Sequence, residues 1–449
     1  MGSTTDNHQS KQTVSWNVTV GAGVLVLLFL AVFFIDTDLF GALIDQGFNW
    51  SAQYFGLFWQ ILMLGNFVIA LWIATRDGAT RTLGGLDAPE FTDFQWGAMI
   101  LCTLLAGGGV FWAAAEPIAH FVSPPPAFDG QTTTESLAGV ALAQAFLHWG
   151  FLAWSILGSL TAVLLMYLHY DLGLPLAPRS LLYPLIGEAG VRGRIGDMTD
   201  IVAVIAVFAG TVGPIGFLGL QVSYGLSELY GSPDTKAIQI LTIAALMSLY
   251  LISAVTGMHR GIQWLSRANI ILGATLLLFL LLVGPTQLIA QGFLDGLSTH
   301  LSWFGHLALF RGDAGFFGDP GWLSPWTLFF WGWFIGYGPM MAIFIARVSR
   351  GRRIRDIIVL LSIVAPLITM AWFSILGGTG LGLEQQRPGS ITTAFEGFNL
   401  PAVLLAITEA MPLSEVLSPA FLLLTALFVA TTGDSMTYSL SVVSSGSDN

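Results

Sequence analysis

Charged residues are scarce in this sequence, and their scarcity excludes most classes of water-soluble protein. Only 10% of the 449 residues are Asp, Glu, Lys or Arg, whereas a soluble globular protein carries about 25%. Too few polar side chains remain to cover a soluble enzyme or a nucleic-acid-binding protein. The 54% hydrophobic content also excludes a disordered scaffold. The composition therefore indicates a polytopic α-helical membrane protein.

Cysteine and lysine are almost absent as well. Cys102 is the only cysteine, which excludes a disulfide framework and a cysteine-based metal site. Lys11 and Lys236 are the only lysines among 16 basic residues, and the net charge is −11. We expect this acidic, lysine-poor surface to reflect a high-salt habitat, in which surface carboxylates keep a protein hydrated. A GC-rich genome is the alternative explanation for the preference for Arg, but it leaves the acid excess unexplained.

Ten apolar stretches are each long enough to cross a bilayer, which takes about 20 helical residues. They lie at 17–36, 51–75, 96–118, 137–169, 200–229, 237–257, 266–292, 325–347, 356–378 and 417–445. The first lacks a signal-peptide cleavage site, so we expect it to be retained. Residues 293–324 have apolar spacings that fit an interfacial helix, with an irregular loop as the alternative.

The basic residues predict the orientation. With the N-terminus in the cytoplasm, alternation of the loops leaves only Lys236, Arg311 and Arg387 outside and the other 13 of 16 inside. Cytoplasmic loops carry such an excess of Lys and Arg. We therefore expect a multi-pass protein of the plasma membrane with both termini in the cytoplasm.

Glycines interrupt two of the stretches beside tryptophans. Gly107–Gly109 lie in the third stretch, and Gly332–Pro339 lie in the eighth. Such runs disfavour regular helix, and unwound backbone at membrane depth is tolerated where it lines a cavity. We expect two broken helices, five stretches apart, in an inverted repeat. Close packing through small residues is the alternative. In the fifth stretch, Pro214 indicates a kink.

Few ionisable residues lie in the stretches, and no enzyme is expected. Glu116, which precedes Pro117, is interpreted as a helix-end residue at the interface, and His148 as a packed, hydrogen-bonded histidine, although intramembrane ionisable groups are often functional. No catalytic arrangement or cofactor-binding motif is present in the sequence.

Aromatic residues are abundant. On a continuous helix of 3.6 residues per turn, Trp149 and Trp154 fall within an arc of roughly 140°, and Trp331, Phe334 and Tyr337 follow at intervals of three. Aromatic faces bind cations with about 0.5–2 kcal/mol per ring, and quaternary ammonium groups suit them best. The spacing of these aromatic residues, taken alone, favours a role in core packing over a cation-binding site.

Several motifs resemble the betaine/choline/carnitine transporter family. Ser324–Trp333 followed by Phe344–Arg352 is similar to the signature of that family. Further matches occur at Phe111-Trp112, Glu116-Pro117, His148-Trp149-Gly150, Trp154, Gly173–Leu176, Arg179-Ser180, Pro184–Gly187, Gly284–Thr286 and Gly433–Ser435. They extend from about residue 95 to the C-terminus in the order of the family.

The resemblance implies an all-α membrane fold. Residues 1–16 would form a cytoplasmic tail and residues 17–449 one transporter domain: two peripheral helices (17–94), a first five-helix repeat as in leucine-transporter-like proteins (95–257), its fifth helix region with the interfacial helix (258–324), and a partial inverted repeat (325–449). The family normally has twelve spans, so the second repeat is expected to be truncated after about ten helices. A homotrimer is also implied.

The resemblance also implies the site. The solute-binding residues would be Trp112, Trp149, Trp154, Trp331, Trp333, Phe334 and Tyr337. Leu157 replaces a family Tyr, Phe334 replaces a Trp, and Tyr337 replaces a further Trp. Fewer cation-binding faces remain, which makes a zwitterion such as ectoine more plausible than in other members.

Sodium is the implied coupling ion. Thr431 and Thr432 match a hydroxyl pair of the family that faces the unwound third helix, where the carbonyls of Gly107 and Gly109 would complete an oxygen shell. A second position would use Thr211, but Val207 stands where another hydroxyl is needed. The implied function is sodium-coupled import of glycine betaine, choline or carnitine. An ectoine or proline transporter and a non-transporting remnant or sensor are the alternatives.

Overall fold

A computed structural model of the chain describes residues 14–105, 109–130, 136–256 and 263–445. In these ranges the fold is helical and has no β-strand, apart from an isolated bridge between Thr82 and Arg353. The predicted all-α class is confirmed. The α-helices are α1 Trp16–Ile35, α2 Thr37–Ala74, α3 Asp93–Leu105, α4 Phe111–Val122, α5 Leu137–Trp149, α6 Phe151–Ile156, α7 Ser159–Met166, α8 Tyr183–Val191, α9 Arg194–Tyr230, α10 Lys236–Thr256, α11 Gln263–Val283, α12 Thr286–Ser302, α13 Phe304–Leu309, α14 Phe329–Val348, α15 Ile354–Val359, α16 Ala365–Gln386, α17 Leu400–Glu409 and α18 Ser414–Ser445.

Eight helical segments within the described residues are long and apolar enough to cross a membrane. They are Trp16–Ile35, Thr37–Ala74, Leu137–Asp171, Arg194–Tyr230, Trp264–Val283, Gly321–Val348, Ile354–Gln386 and Ser414–Ser444. The third predicted stretch is divided between α3 and α4, and the sixth is α10. The protein is thus a multi-pass membrane protein whose apolar stretches are helical where the structure describes them.

The helices differ in burial. Only Val18 and Ala22 of α1 are buried, and its exposed leucines suit contact with lipid. By contrast, most of the residues of α5, α14 and α16 are buried. These three helices form the interior in which the candidate site lies.

The predicted break in the eighth stretch is wrong. A π-helical turn at Ser324–Leu328 leads into α14, which continues through Gly332, Gly338 and Pro339. A Cβ at Gly332 would lie 3.2 Å from the ring of Trp59, and one at Gly338 would lie 3.0 Å from the carbonyl oxygen of Ile156. These glycines therefore let α2 and α6 approach α14 closely. This agrees with the alternative interpretation of the glycines, which was close packing through small residues.

The fourth stretch is broken instead, at Gly150. Its backbone has φ −97° and ψ −131°, so that α5 ends at Trp149 and α6 begins at Phe151. A Cβ at Gly150 would overlap Met370 Cε and the carbonyl oxygen of Phe146. The arc predicted for Trp149 and Trp154 on one continuous helix is consequently wrong.

The third stretch is described on either side of the predicted glycines. α3 is described as far as Leu105, and α4 begins at Phe111. Gly109 lies between them, and Gly107 lies outside the described residues. In the fifth stretch, Pro214 lies inside the 37-residue helix α9, which does not end there.

The seventh stretch ends earlier than predicted. α11 stops at Val283, and a new helix, α12, begins at Thr286 after Gly284-Pro285. The helix predicted within 293–324 therefore begins upstream, and it packs along α5. A Cβ at Gly292 would lie 3.1 Å from Leu142, so small residues bring these two helices together.

Two loops that the charge pattern assigned to the same side meet in the structure. Leu83 N–H donates to the carbonyl oxygen of Arg352 over 3.0 Å, and Arg347 Nη1 lies 2.6 Å from Glu90 Oε2. The loop after α2 and the loop after α14 thus share one face of the protein.

Candidate functional site

The candidate site is a cluster of aromatic rings around Trp149, at the C-terminal end of α5. The centroid of the Trp149 ring lies 5.3 Å from that of Phe330, 5.5 Å from those of Phe334 and Phe373, and 6.1 Å from that of Trp333. Trp149 is only 5% exposed. Helices α5, α14 and α16 therefore bring five rings into one group, buried except for the half-buried Trp333, which we call the Trp149 cluster.

Trp112 and Trp331 adjoin this cluster. The Trp112 ring lies 5.2 Å from Phe330, and the fully buried Trp331 lies 6.0 Å from the ring of His148. The indole Nε1 atoms of both tryptophans are buried without a hydrogen-bond partner among the described residues. One unpartnered N–H donor thus lies on the tryptophan beside Phe330 and one on the tryptophan beside His148.

Tyr337 and Trp333 join α14 to α9. Trp333 Nε1 donates to the carbonyl oxygen of Gly210 over 2.9 Å, and Tyr337 is hydrogen-bonded to Thr211. A cavity of about 400 Å³ between α2, α9 and α14 borders Trp333, Trp59 and Pro214. Open space therefore lies beside the closely packed rings.

Trp154 belongs to α6 and not to α5, the helix that carries Trp149. It lies beyond the break at Gly150, is 3% exposed, and donates from Nε1 to Thr369 Oγ1 of α16 over 2.8 Å. Leu157, where the family has a Tyr, is also buried. The break turns the chain between the two predicted tryptophans of the fourth stretch.

Sequence reasoning missed Phe330 and Phe373. Both are fully buried and contact Trp149. Phe330 lies next to Trp331 in the family motif Ser324–Trp333, and this position could have identified it as a site residue. Phe373 has no such signal, because α16 is apolar along its length and only the packing selects this residue.

The side chain of Glu116 is hydrogen-bonded to the Trp149 cluster. Trp149 Nε1 donates to Glu116 Oε2 over 2.7 Å, and Glu116 Oε1 lies 2.6 Å from His148 Nδ1 and 3.3 Å from His120 Nε2. The side chains of Glu116, His120 and His148 are at most 1% exposed. We call these three residues the Glu116 cluster.

The interpretation of Glu116 as an interfacial helix-end residue is wrong. Pro117 lies within α4, which continues to Val122 and buries Glu116 completely. His148 is hydrogen-bonded, as predicted, and its Nε2 lies 2.9 Å from both Thr327 Oγ1 and Gln144 Nε2. The hydrogen bond from Nε1 to Glu116 thereby fixes the orientation of the Trp149 indole among the neighbouring rings.

The residues predicted to bind sodium lie on three elements. Thr431 of α18 accepts a hydrogen bond from Asn269 Nδ2 at 3.2 Å, and the carbonyl oxygen of Gly109 accepts one from Trp372 Nε1 at 2.7 Å. Thr211 of α9 donates to Val207 O over 2.7 Å. Gly107 and the side chain of Thr432 lie outside the described residues, so the prediction of these ligands stands as made.

Comparison with known proteins identifies the family of the chain. A model of the betaine/carnitine/choline family transporters matches residues 17–449. Glycine betaine transporter 2 of Vibrio parahaemolyticus is 53% identical over 427 residues, which cover 95% of this chain and 78% of that one.

More distant relatives carry related names. The glycine betaine transporter OpuD of Bacillus subtilis is 34% identical over 90% of this chain and 76% of its own length. An osmo-independent choline transporter of Acinetobacter baylyi is 32% identical over 84% of this chain and 71% of its own length. The chain therefore belongs to the betaine/carnitine/choline family of transporters.

Proposed function

We propose that this protein imports glycine betaine, or a closely related trimethylammonium solute, across the plasma membrane by sodium symport. The observation that carries the proposal is the Trp149 cluster, in which aromatic rings from three helices meet in the interior. Such rings attract a quaternary ammonium group without an ion pair. The similarity to relatives named as glycine betaine transporters supports the same solute.

Two indole donors favour a solute that also carries a carboxylate. Nε1 of Trp112 and Nε1 of Trp331 are buried and unpartnered in the described part of the chain, and a buried donor without an acceptor costs free energy. A bound carboxylate would supply the acceptor. Glycine betaine and carnitine have this group and choline lacks it.

The rings must separate for a solute to enter. Trp149 packs against Phe330, Phe334 and Phe373 with centroid distances of 5.3–5.5 Å. The break at Gly150 divides the fourth stretch next to Trp149, and a helix break at membrane depth is the place where a transporter can bend. We propose that one bundle rocks against the rest at this point.

Sodium coupling is supported by the turn at Gly109, next to the start of α4. The helix α18, which carries Thr431, packs against α3. Hydroxyl and carbonyl oxygens are ligands that suit a hard cation. We propose that sodium binds there and replaces the hydrogen bonds that Asn269 makes to Thr431 and that Trp372 makes to Gly109.

We also propose that the protein forms a homotrimer and serves in osmoprotection.

Calorimetric titration of the purified protein with glycine betaine, choline, carnitine and ectoine tests the solute. We expect glycine betaine to bind more tightly than choline. Trp154→Ala should weaken that binding about 2- to 30-fold, since one aromatic contact is worth about 0.5–2 kcal/mol. If ectoine binds preferentially, ectoine is the solute and not glycine betaine. Phe334 and Leu157 would explain that result, because they leave fewer cation-binding faces. Solute binding without accumulation in proteoliposomes would identify a sensor or an inactive remnant.

A further inference from the structure

The Glu116 cluster contains a buried acid whose ion-pair partners among the described residues are imidazoles. Among the described residues, no Lys or Arg forms an ion pair with Glu116, and its two ion-pair contacts are both with imidazoles, His148 and His120. Glu116 is 0% exposed. An isolated ion in such surroundings is far costlier than a neutral pair.

One proton therefore belongs to the cluster. It makes the cluster neutral either as a carboxylic acid beside two neutral imidazoles or as a carboxylate beside one imidazolium. The separation of 2.6 Å between His148 Nδ1 and Glu116 Oε1 fits a proton held between these two atoms.

The surroundings accommodate the cluster with and without this proton. When the proton is absent, His148 Nδ1–H donates to Glu116, and His148 Nε2 accepts from the Thr327 hydroxyl, 2.9 Å away. When the imidazole is charged, Nε2–H donates to the same hydroxyl oxygen, because a hydroxyl both donates and accepts. The Gln144 amide, whose Nε2 lies 2.9 Å from His148 Nε2, then turns over so that its unpartnered Oε1 faces the ring. The carboxylate keeps the Trp149 indole as a donor in either state.

We propose that the Glu116 cluster is a proton-binding site and that a quaternary ammonium group entering beside Trp149 displaces its proton. The indole of Trp149 joins Glu116 Oε2 to the ring cluster, so the bound cation replaces the charge of the departing proton. The proton passes to water, no covalent bond other than N–H or O–H changes, and the cluster becomes a carboxylate with two neutral imidazoles. This inference rests on the proposed function.

Other titratable groups around the cluster are few among the described residues. His300 of α12, the helix that packs along α5, is close enough to interact electrostatically with His148. On α16, Glu384 is instead occupied with the N–H groups of Gly389, Ile391 and Thr392. Displacement of the proton is consequently assigned to the Glu116 cluster, and His300 serves as the matched control.

Calorimetric titration with choline and with glycine betaine, repeated between about pH 5 and 8 where imidazoles titrate, tests the inference. Buffers of different ionisation enthalpy give the number of protons released. We expect about one proton per bound solute, and an affinity that rises up to about tenfold per pH unit, as linkage requires. His300→Gln should retain both effects.

Glu116→Gln keeps an acceptor for Trp149 and should abolish the proton release and the pH dependence. If Glu116→Gln does not fold, His148→Asn is the second variant for the same measurement. Binding of both solutes with no proton release in the wild type would overturn the inference and leave the proposed function intact, and unchanged release in Glu116→Gln would overturn the assignment. Failure of both solutes to bind at any pH would overturn the function and the inference together.

Discussion

The indole of Trp154 donates a hydrogen bond from Nε1 to Oγ1 of Thr369 over 2.8 Å. The two residues are 215 positions apart in the chain, and the bond joins α6, which follows the break at Gly150, to the interior helix α16. Thr369 in turn donates to the carbonyl oxygen of Ala365. The position of the second predicted tryptophan therefore depends on a threonine of another helix.

Thr369→Val should weaken solute binding by up to about tenfold, because one buried hydrogen bond is worth about 0.5–1.5 kcal/mol. Titration calorimetry with glycine betaine measures the change. Thr379→Val is the matched control on the same helix, since the Thr379 hydroxyl donates only to the backbone at Ile375. Equal effects of the two substitutions would show that Trp154 does not need this bond.

Gly150→Ala should destabilise the protein and abolish transport. The added methyl group would overlap Met370 Cε and the carbonyl oxygen of Phe146, and overpacking of a core costs about 1–3 kcal/mol. Gly65→Ala is the control, because a Cβ at Gly65 meets nothing within 4 Å. Thermal unfolding in detergent measures both variants, and a wild-type melting temperature for Gly150→Ala would contradict the account of the break.

Glycine content alone did not locate the helix breaks. Gly332 and Gly338 were predicted to unwind α14, yet they remain helical because they face Trp59 and the backbone at Ile156. At Gly150 a single glycine marks a real break, since Met370 and Phe146 leave no room for a side chain. Whether a glycine unwinds a helix or packs it depends on its neighbours in space, which the sequence does not specify.

The composition and the motifs were sufficient to predict the class of protein and the family. Trp149 and Phe334 were both predicted, and their rings contact each other. The link between Glu116 and His148, 32 positions apart, was not predicted. It depends on the packing of α4 against α5 and leaves no periodic signal in the sequence.

Asp200→Asn should lower stability markedly. Asp200 is 1% exposed and accepts hydrogen bonds from the backbone N and the Nε of Arg179, which anchors the turn at Pro178–Leu182 to α9. Because Asp197 remains 2.9 Å from Arg179 Nη2, the loss should be about 1–3 kcal/mol, as for a buried hydrogen bond to a charged group.

The exposed pair of Arg192 and Glu188, with exposed fractions of 55% and 62%, supplies the control for Asp200→Asn. Arg192→Gln should cost less than about 1 kcal/mol. Denaturation curves in detergent compare the two variants. Similar losses in both would contradict the structural role of Asp200.

Thr431→Val should raise the sodium concentration for half-maximal uptake by about tenfold, because it removes an oxygen from the proposed ion shell. Sodium titration of uptake in proteoliposomes measures this. Thr425→Val, on the same helix, is the control, since Thr425 donates to the backbone at Phe421. An unchanged sodium dependence in Thr431→Val would exclude this position.

High salt should stabilise the protein. With a net charge of −11, screening reduces repulsion between acidic surface groups. We expect the melting temperature to rise from low to molar potassium chloride. Equal stability at both concentrations would contradict adaptation to a saline habitat.

Uptake of labelled glycine betaine into proteoliposomes, with and without an inward sodium gradient, tests the central claim most directly. The account predicts accumulation above the external concentration that depends on sodium and is lost in Trp154→Ala. Absence of accumulation under a sodium gradient, in protein that still binds glycine betaine, would contradict it.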